Sequence, residues 1–135
     1  MSNRAEVKKQ IERDGIEFLL VQFVDINGAA KVKMMPASSF DDALETGAGF
    51  AGGAVSGAGQ GPHSHDMMAR IDLDTYTPVS WKPNTARFAS DIFVDEKPHP
   101  YCSRTNLKRV LAEAYHRYLR RSADVFLAGS GGART

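Results

Sequence analysis

The sequence has little cysteine: one residue, Cys102, in 135. A lone thiol excludes an internal disulfide framework and fits a reducing compartment. It also has no run of about 18 apolar residues and no basic start leading into an apolar stretch, so neither a membrane span nor a signal peptide is expected. Charge of one sign is lacking too. Seventeen Lys and Arg face sixteen Asp and Glu, a net of +1, which argues against a nucleic-acid binder held by a basic face. There is no Walker loop, no paired acidic motif for Mg²⁺ and no nucleophilic-serine context. The length excludes a catalytic barrel or a two-domain enzyme. What remains is a cytoplasmic globular domain with neither membrane nor nucleic acid as partner, and 42% hydrophobic and 24% charged residues agree with that. One asymmetry hides in the near-zero charge: Arg117, Arg120, Arg121 and Arg134 crowd the end.

The spacing predicts a helix first, capped by Ser2, with Val7 and Ile11 on one face and Gly15 as its stop. Glu17 to Asp25 reads as a strand whose nearly continuous apolar run implies burial on both faces. Asp25-Ile26-Asn27-Gly28 is turn chemistry. A second strand, Ala29 to Met35, alternates Lys31 and Lys33 with Val32 and Met34, which places the lysines on a water-facing side, and Pro36 ends it. A short helix follows, capped by Ser38, carrying Asp41, Asp42, Phe40 and Leu44 and closed by Gly47. From Ala48 to His65 no apolar period exists and glycines crowd the chain, so one long irregular loop is expected, of a length that is usually functional or disordered. Strands are expected again at Met67–Leu73 and Ala86–Asp95, with an extended stretch holding Tyr76, Pro78, Trp81 and Pro83 between them. Lys97-Pro98-His99-Pro100 is a rigid exit. A helix capped by Ser103 or Thr105 then runs to about Arg121, with Leu107, Val110, Leu111, Ala114 and Tyr118 as its stripe. Gly129-Ser130-Gly131-Gly132 reads as flexible. The simplest solution for this order is α+β, a mixed sheet with helices on one face.

Several motifs have both a chemical and a plain reading. Gly47, Gly49 and Gly52 fit G-x-G-x-x-G, but a dinucleotide fold needs a strand before and a helix after, and this pattern follows a helix and leads into more loop. A mobile linker or lid is the alternative. His63, His65 and Asp66 have the spacing of metal ligands, yet no third cluster joins them, and a polar loop end accounts for them equally. Cys102 near His99 could be a nucleophile or a small structural cysteine. Trp81 and Phe88 could stack a ligand or belong to core or interface. Lys31 and Lys33 could bind an anion or lie on a solvated face. No nucleophile, base and orienting group assemble from these residues.

In their order along the chain, these residues resemble a known family. Val21-Gln-Phe23-Val-Asp25-Ile-Asn27-Gly28-Ala-Ala-Lys31-Val-Lys33-Met-Met-Pro36 resembles the opening hairpin of the glutamine synthetase N-terminal domain. Gly49-Phe50-Ala-Gly52-Gly53-Ala-Val55 stands where that family carries a glycine-rich active-site loop, and His65-Asp66-Met67 resembles the step that ends it. Ile71-Asp72-Leu73-Asp74, Pro78, Trp81, Pro83 and Ala86 to Asp91 are similar to the strands that follow, and Ser103 to Glu113 to the helix beyond. The wording of the loop is nearest to the glutamate–amine ligase branch that includes γ-glutamylmethylamide synthetase. The resemblance implies a β-grasp fold, a ubiquitin-like roll with a long glycine-rich loop. It implies ligation of glutamate to ammonia or a small amine through γ-glutamyl phosphate, with ATP and Mg²⁺ or Mn²⁺ bound outside this chain. It also implies a homo-oligomer, or partnership with full-length synthetase subunits, in which Phe50, Ala51, Gly52, Gly53, Ala54 and Val55 enter the active site of the neighbouring subunit. Such a loop lets backbone approach a ligand and excludes water.

The departures are specific. The better-known branch reads Phe-Asp-Gly-Ser-Ser where this chain has Phe50-Ala51-Gly52-Gly53-Ala54. An aspartate attracts a cation and an alanine does not, so a bulkier or less polar amine is expected, with Asp66 as the nearest remaining carboxylate and the candidate catalytic group. The family continues into a barrel with a Glu-x-Glu strand, whereas after Glu113 the only acidic residue here is Asp124. The expectation is therefore a domain over 1–114 and an atypical tail over 115–135, truncated or altered in frame, and a chain inactive by itself. The alternative is a non-catalytic interaction module that caps or regulates synthetase rings.

Overall fold

The computed structural model describes residues 3–55 and 57–129. They fall into two compact units, Met1–Thr105 and Asn106–Thr135. The first holds α1 (Arg4–Arg13), β1 (Phe18–Val24), β2 (Ala30–Pro36), α2 (Phe40–Glu45), β3 (Ala48–Phe50), β4 (Met67–Ile71), β5 (Thr77–Pro78), β6 (Thr85–Val94), β7 (Lys97–Pro98) and the start of α3 (Ser103–Gly129). The second is the remainder of α3, in which Arg109 pairs with Glu113 one turn on at 2.8 Å. That helix continues past Arg121, where the sequence pattern ends it. Ser130, Gly131, Gly132 and Arg134 lie outside the described residues. No helix among those described is long and apolar enough to cross a membrane.

The sheet runs β2–β1–β6–β4–β3, with β5 and β7 added along β6. Strand β1 is parallel to β6, pairing Leu19 with Ala86 and Val21 with Phe88. The other pairings are antiparallel. This is the mixed α+β roll that the resemblance implies. One face is covered. Val7 and Ile11 of α1, Phe40 and Ala43 of α2, Leu19, Val21 and Phe23 of β1, Met67, Ala69 and Ile71 of β4, and Phe88 and Ile92 of β6 form a single apolar cluster. Helices with one apolar stripe and strands with one apolar face have to meet in this way.

Local chemistry sets the ends of these elements. Asn3 caps α1: its side chain accepts from the Glu6 amide at 2.9 Å while the Glu6 carboxylate accepts from the Asn3 amide at 3.1 Å. The cap expected at Ser2 falls outside the described residues. Ser38 does not cap α2 either, because Ala37–Ser39 forms a single 3-10 turn and Ser39 precedes the helix. At the far end of α1 the Tyr76 hydroxyl donates to Asp14 at 2.9 Å. Burial first, and then Asp14, pushes that phenol up from its ordinary value.

Strand β1 is not buried on both faces. Leu19 and Val21 are fully buried, whereas Phe18 and Val24 are 39% and 42% exposed. Along β1 the apolar run is buried on alternate residues only, Leu19, Val21 and Phe23. The lysines keep their solvent, Lys33 exposed and Lys31 half-buried, but not on the face expected. Lys31 and Lys33 stand opposite Phe23 and Val21, and Val32 and Met34 opposite Gln22 and Leu20. Partners across an antiparallel pair share a face, so the lysines lie on the covered side. Polar groups meet them there, Asp25 at 3.4 Å from Lys31 and the Gly49 carbonyl at 2.8 Å from Lys33. Val32 and Met34 on the other side are exposed, but so is Lys33, and Lys31 is half-buried. The turn between these strands is as expected: Asp25 accepts from the amides of Asn27 and Ala29, both at 2.9 Å. Those of Ala29 and Asn27, with Lys31, hold its carboxyl below the usual range.

Of the later strands, β6 forms nearly as expected, over Thr85–Val94, while β4 is shorter than its apolar run. β4 ends at Ile71 because Leu73–Thr75 turns in a 3-10 helix. Lys97–Pro98 is not only an exit but a strand, paired with Val94 and Phe93.

Phe88 is the largest fully buried side chain, with ring centroids of Phe40 and Tyr76 at 6.0 and 5.6 Å. Phe88→Ala is expected to cost about 3–5 kcal/mol in urea unfolding. A loss below about 1 kcal/mol would contradict this core.

Candidate functional site

Residues 51–66 join β3 to β4, and they are not one structureless loop. Ala48, Gly49 and Phe50 pair with Ala69, Met68 and Met67. The short pairing arises because Ala48 is buried and Phe50 stands edge-on to Phe23, centroids 4.9 Å apart. Gly52–Ala54 then makes a 3-10 turn. The Ala58 amide donates to the Val55 carbonyl at 3.1 Å, which seats Ala58 in the core with Val55 packed against it.

Four contacts fix the base of this segment. At its start Lys33 donates to the Gly49 carbonyl. In the middle Gly57 and Gly59 have φ of +76° and +68°, and a Cβ on them would stand 2.2 Å from Ile26 Cδ1 and 2.9 Å from a Tyr101 ring carbon. Glycine is required there twice over, for the left-handed backbone and for the close approach. At its end His65 Nδ1 lies 2.6 Å from Asp95 Oδ1. That carboxylate raises the imidazole from its ordinary value.

The upper part is open. Ala51, Gly52, Gly53 and Ala54 form one wall of a concavity of about 420 Å³. Gln60, Gly61 and Pro62 form another, with Ser64 and Asp66 at its margin. Gln60 Oε1 is buried without a hydrogen-bond partner and occupies the place of a Gly52 side chain. Ala51, Gly53, Ala54 and Asp66 are exposed, while Val55 and Phe50 are partly buried. An apex of small side chains admits another surface close to its backbone, and Asp66 is the carboxylate beside it.

The other sequence candidates are placed as follows. His63 and His65 lie before β4 rather than on a strand, and among the described residues no group of three His, Cys, Asp or Glu side chains could hold a metal ion. Gly52 is followed by one 3-10 turn, not the helix a dinucleotide site needs. Cys102 is buried and structural, accepting from the Ile92 amide at 3.4 Å and the Thr105 hydroxyl at 3.1 Å. His99 is buried beside it, its Nδ1 accepting from the Tyr101 amide at 3.3 Å, and burial pushes its pKa down. Trp81 is exposed and Phe88 is core. Two features had no signal in the sequence: the Lys33 reach to Gly49, and the Asp95–Glu96 turn between β6 and β7. In that turn both residues have positive φ without being glycine.

Residues 15–95 match the family described as glutamine synthetase, beta-Grasp domain. The glutamate–methylamine ligase of Methyloversatilis universalis is 39% identical over 110 residues, covering 81% of this chain and 25% of that protein. Glutamine synthetase of Pyrococcus abyssi is 40% identical over 109 residues, covering 81% of this chain and 24% of that protein. Among solved structures, a GmaS complex with ADP superposes with a TM-score of 0.79 at 32% identity, over 87% of this chain and 26% of that one. The chain spans about a quarter of the length of the relatives it matches.

Gly57→Ala is expected to destabilise by about 1–2 kcal/mol and to speed proteolytic cutting within 51–66. Adding Ile26→Ala should recover the collision but not the backbone strain. Unchanged stability and cutting would show that this glycine does not hold the loop.

Proposed function

The chain belongs to the glutamine synthetase family, whose β-grasp domain it carries, and on that premise we propose that it serves an ATP-dependent ligase joining glutamate to ammonia or a small amine. Its partner is a neighbouring subunit, a second copy or a full-length synthetase chain. Phe50, Ala51, Gly52, Gly53, Ala54 and Val55 are the segment it lends to that subunit's active site. Asp66 is the carboxylate that faces the incoming amine.

One observation carries this reading: an apex of small residues beside an exposed carboxylate, on a base tied down at both ends. Small side chains cover a reacting amine and exclude water without filling its place. The methyl groups of Ala51 and Ala54 present no charge, which suits an alkylated amine over ammonium. A relative named for methylamine and a structural neighbour holding ADP support the same class of reaction. The described residues do not form a metal-ligand set. No step through metal or nucleotide is therefore assigned to them. Their part is to position the amine, exclude water and place one negative charge.

The test is a chimera in which the Met1–Thr105 unit replaces the matching segment of the Methyloversatilis ligase. The isolated chain is expected to release no phosphate from ATP with glutamate and methylamine, and the chimera to do so. Asp66→Asn in the chimera should raise the KM for the amine about tenfold and leave that for glutamate unchanged. An unchanged amine KM would remove Asp66 from the site. Mixed rings whose turnover ignores every substitution in 50–55 would favour the non-catalytic capping module instead.

A further inference from the structure

Two ion pairs hold the β6–β7 turn, one to the end of the loop and one to β4. Asp95 and Glu96 are the two residues of that turn, with φ of +48° and +63°. A two-residue turn of this hand favours Asn-Gly, and glutamate in it is strained. Both side chains are nevertheless engaged. Asp95 Oδ1 lies 2.6 Å from His65 Nδ1, and Glu96 pairs with Arg70 of β4. The His65 and Asp95 side chains are 75% and 64% exposed, so the pair is a weak, solvent-screened one, and it is the left-handed turn that sets Asp95 against the end of the loop. His65 is followed by Asp66, so whatever holds the imidazole also limits where that carboxylate can go.

We propose that Asp95 is a positioning residue, which fixes the end of the glycine loop by pairing with protonated His65 and loosens it when His65 becomes neutral. The charged and titratable groups on the elements that meet there are His63 and Asp66 on the loop, Arg70 on β4, and Glu96 and Lys97 on the hairpin. Arg70 is taken up by Glu96 and by the face of Phe93, 4.5 Å away. Asp95 is the carboxylate in hydrogen-bond reach of His65, and it lifts the imidazole above its ordinary 6.5. A folded value raised in this way means that the pair contributes fully below 6.5. That contribution is lost as pH rises through the raised value. A neutral imidazole can keep one N–H toward Asp95, but without the charge that makes the bond strong. The start of the loop, held by Lys33, is not part of this switch.

The bearing on amine capture rests on the function proposed above. The titration itself is measured without substrate, so the two stand or fail separately. In the full chain, the His65 ring is followed by NMR across neutral pH, and amide exchange of Gly61, Ser64 and Asp66 is corrected for its intrinsic pH dependence. His65 is expected to titrate above 6.5, and loop protection to fall about twofold to fivefold through that value. Asp95→Asn removes the charge while keeping a residue that tolerates left-handed backbone. It should bring the titration down to the ordinary value and abolish the pH dependence of exchange. His65→Gln should hold exchange at the faster, high-pH level throughout. Titration of wild-type His65 at or below 6.5, or an unaltered exchange profile in either variant, would overturn the proposal.

Discussion

The register of β6 is the constraint on which the rest of the domain depends. Its first half pairs with β1 on one edge and β5 on the other, and its second half with β4 and β7. Ala86, Phe88, Ser90 and Ile92 all point into the core. Ser90 is tolerated among them because its hydroxyl donates to the Gln22 carbonyl at 2.8 Å. A slip by one residue would turn Phe88 to water and Arg87 inward. It would also displace β4, and with it β3 and the start of the loop, while β7 would carry off Asp95 and Tyr101. The loop is therefore positioned at both ends by the same strand.

That arrangement divides the glycine-rich segment into two parts with opposite duties. Its base is held by contacts that only glycine permits, at Gly57 against Ile26 and Gly59 against Tyr101. Its apex has almost no side chains to hold it and presents backbone and one carboxylate. A segment rich in glycine loses much freedom on ordering, and the anchors at its base bear that loss before any ligand arrives. The first turn of α3 is secured similarly. Arg104 pairs with Asp72 and lies 3.4 Å from Asp91, and the Ser103 hydroxyl donates to the Val24 carbonyl at 3.3 Å.

Much of this was legible from residues alone. The Asp25–Gly28 turn, the short helix around Phe40, the strand through Phe88 and the helix after Ser103 follow from spacing and turn chemistry, because each is a local property. The errors lie where tertiary surroundings decide. The apolar run of β1 does not disclose that only its alternate residues are buried. The alternation of β2 cannot say which side Lys33 takes, since its partner is a carbonyl of β3, far along the chain. β3 is three residues long and exists only because β4 is there to receive it. The His65–Asp95 pair joins positions thirty apart and depends on left-handed backbone at two residues that give no sign of it. The glycine-rich loop is marked by its sequence, but what anchors it, Lys33, Ile26, Tyr101 and Asp95, is brought together only by the fold.

Strand β2 ends the sheet, with Val32 and Met34 bare on its outer side. An unpaired border of this kind is a template on which other chains can add themselves and grow into fibrils. Lys31 and Lys33, on the opposite face of that strand from Val32 and Met34, work against that outcome. A newcomer extending the sheet would have to pack its own residues beside the ammonium groups that Asp25 and the Gly49 carbonyl hold, and strip part of their water. The residues that steady the loop thus also guard the domain against aggregation along its open border.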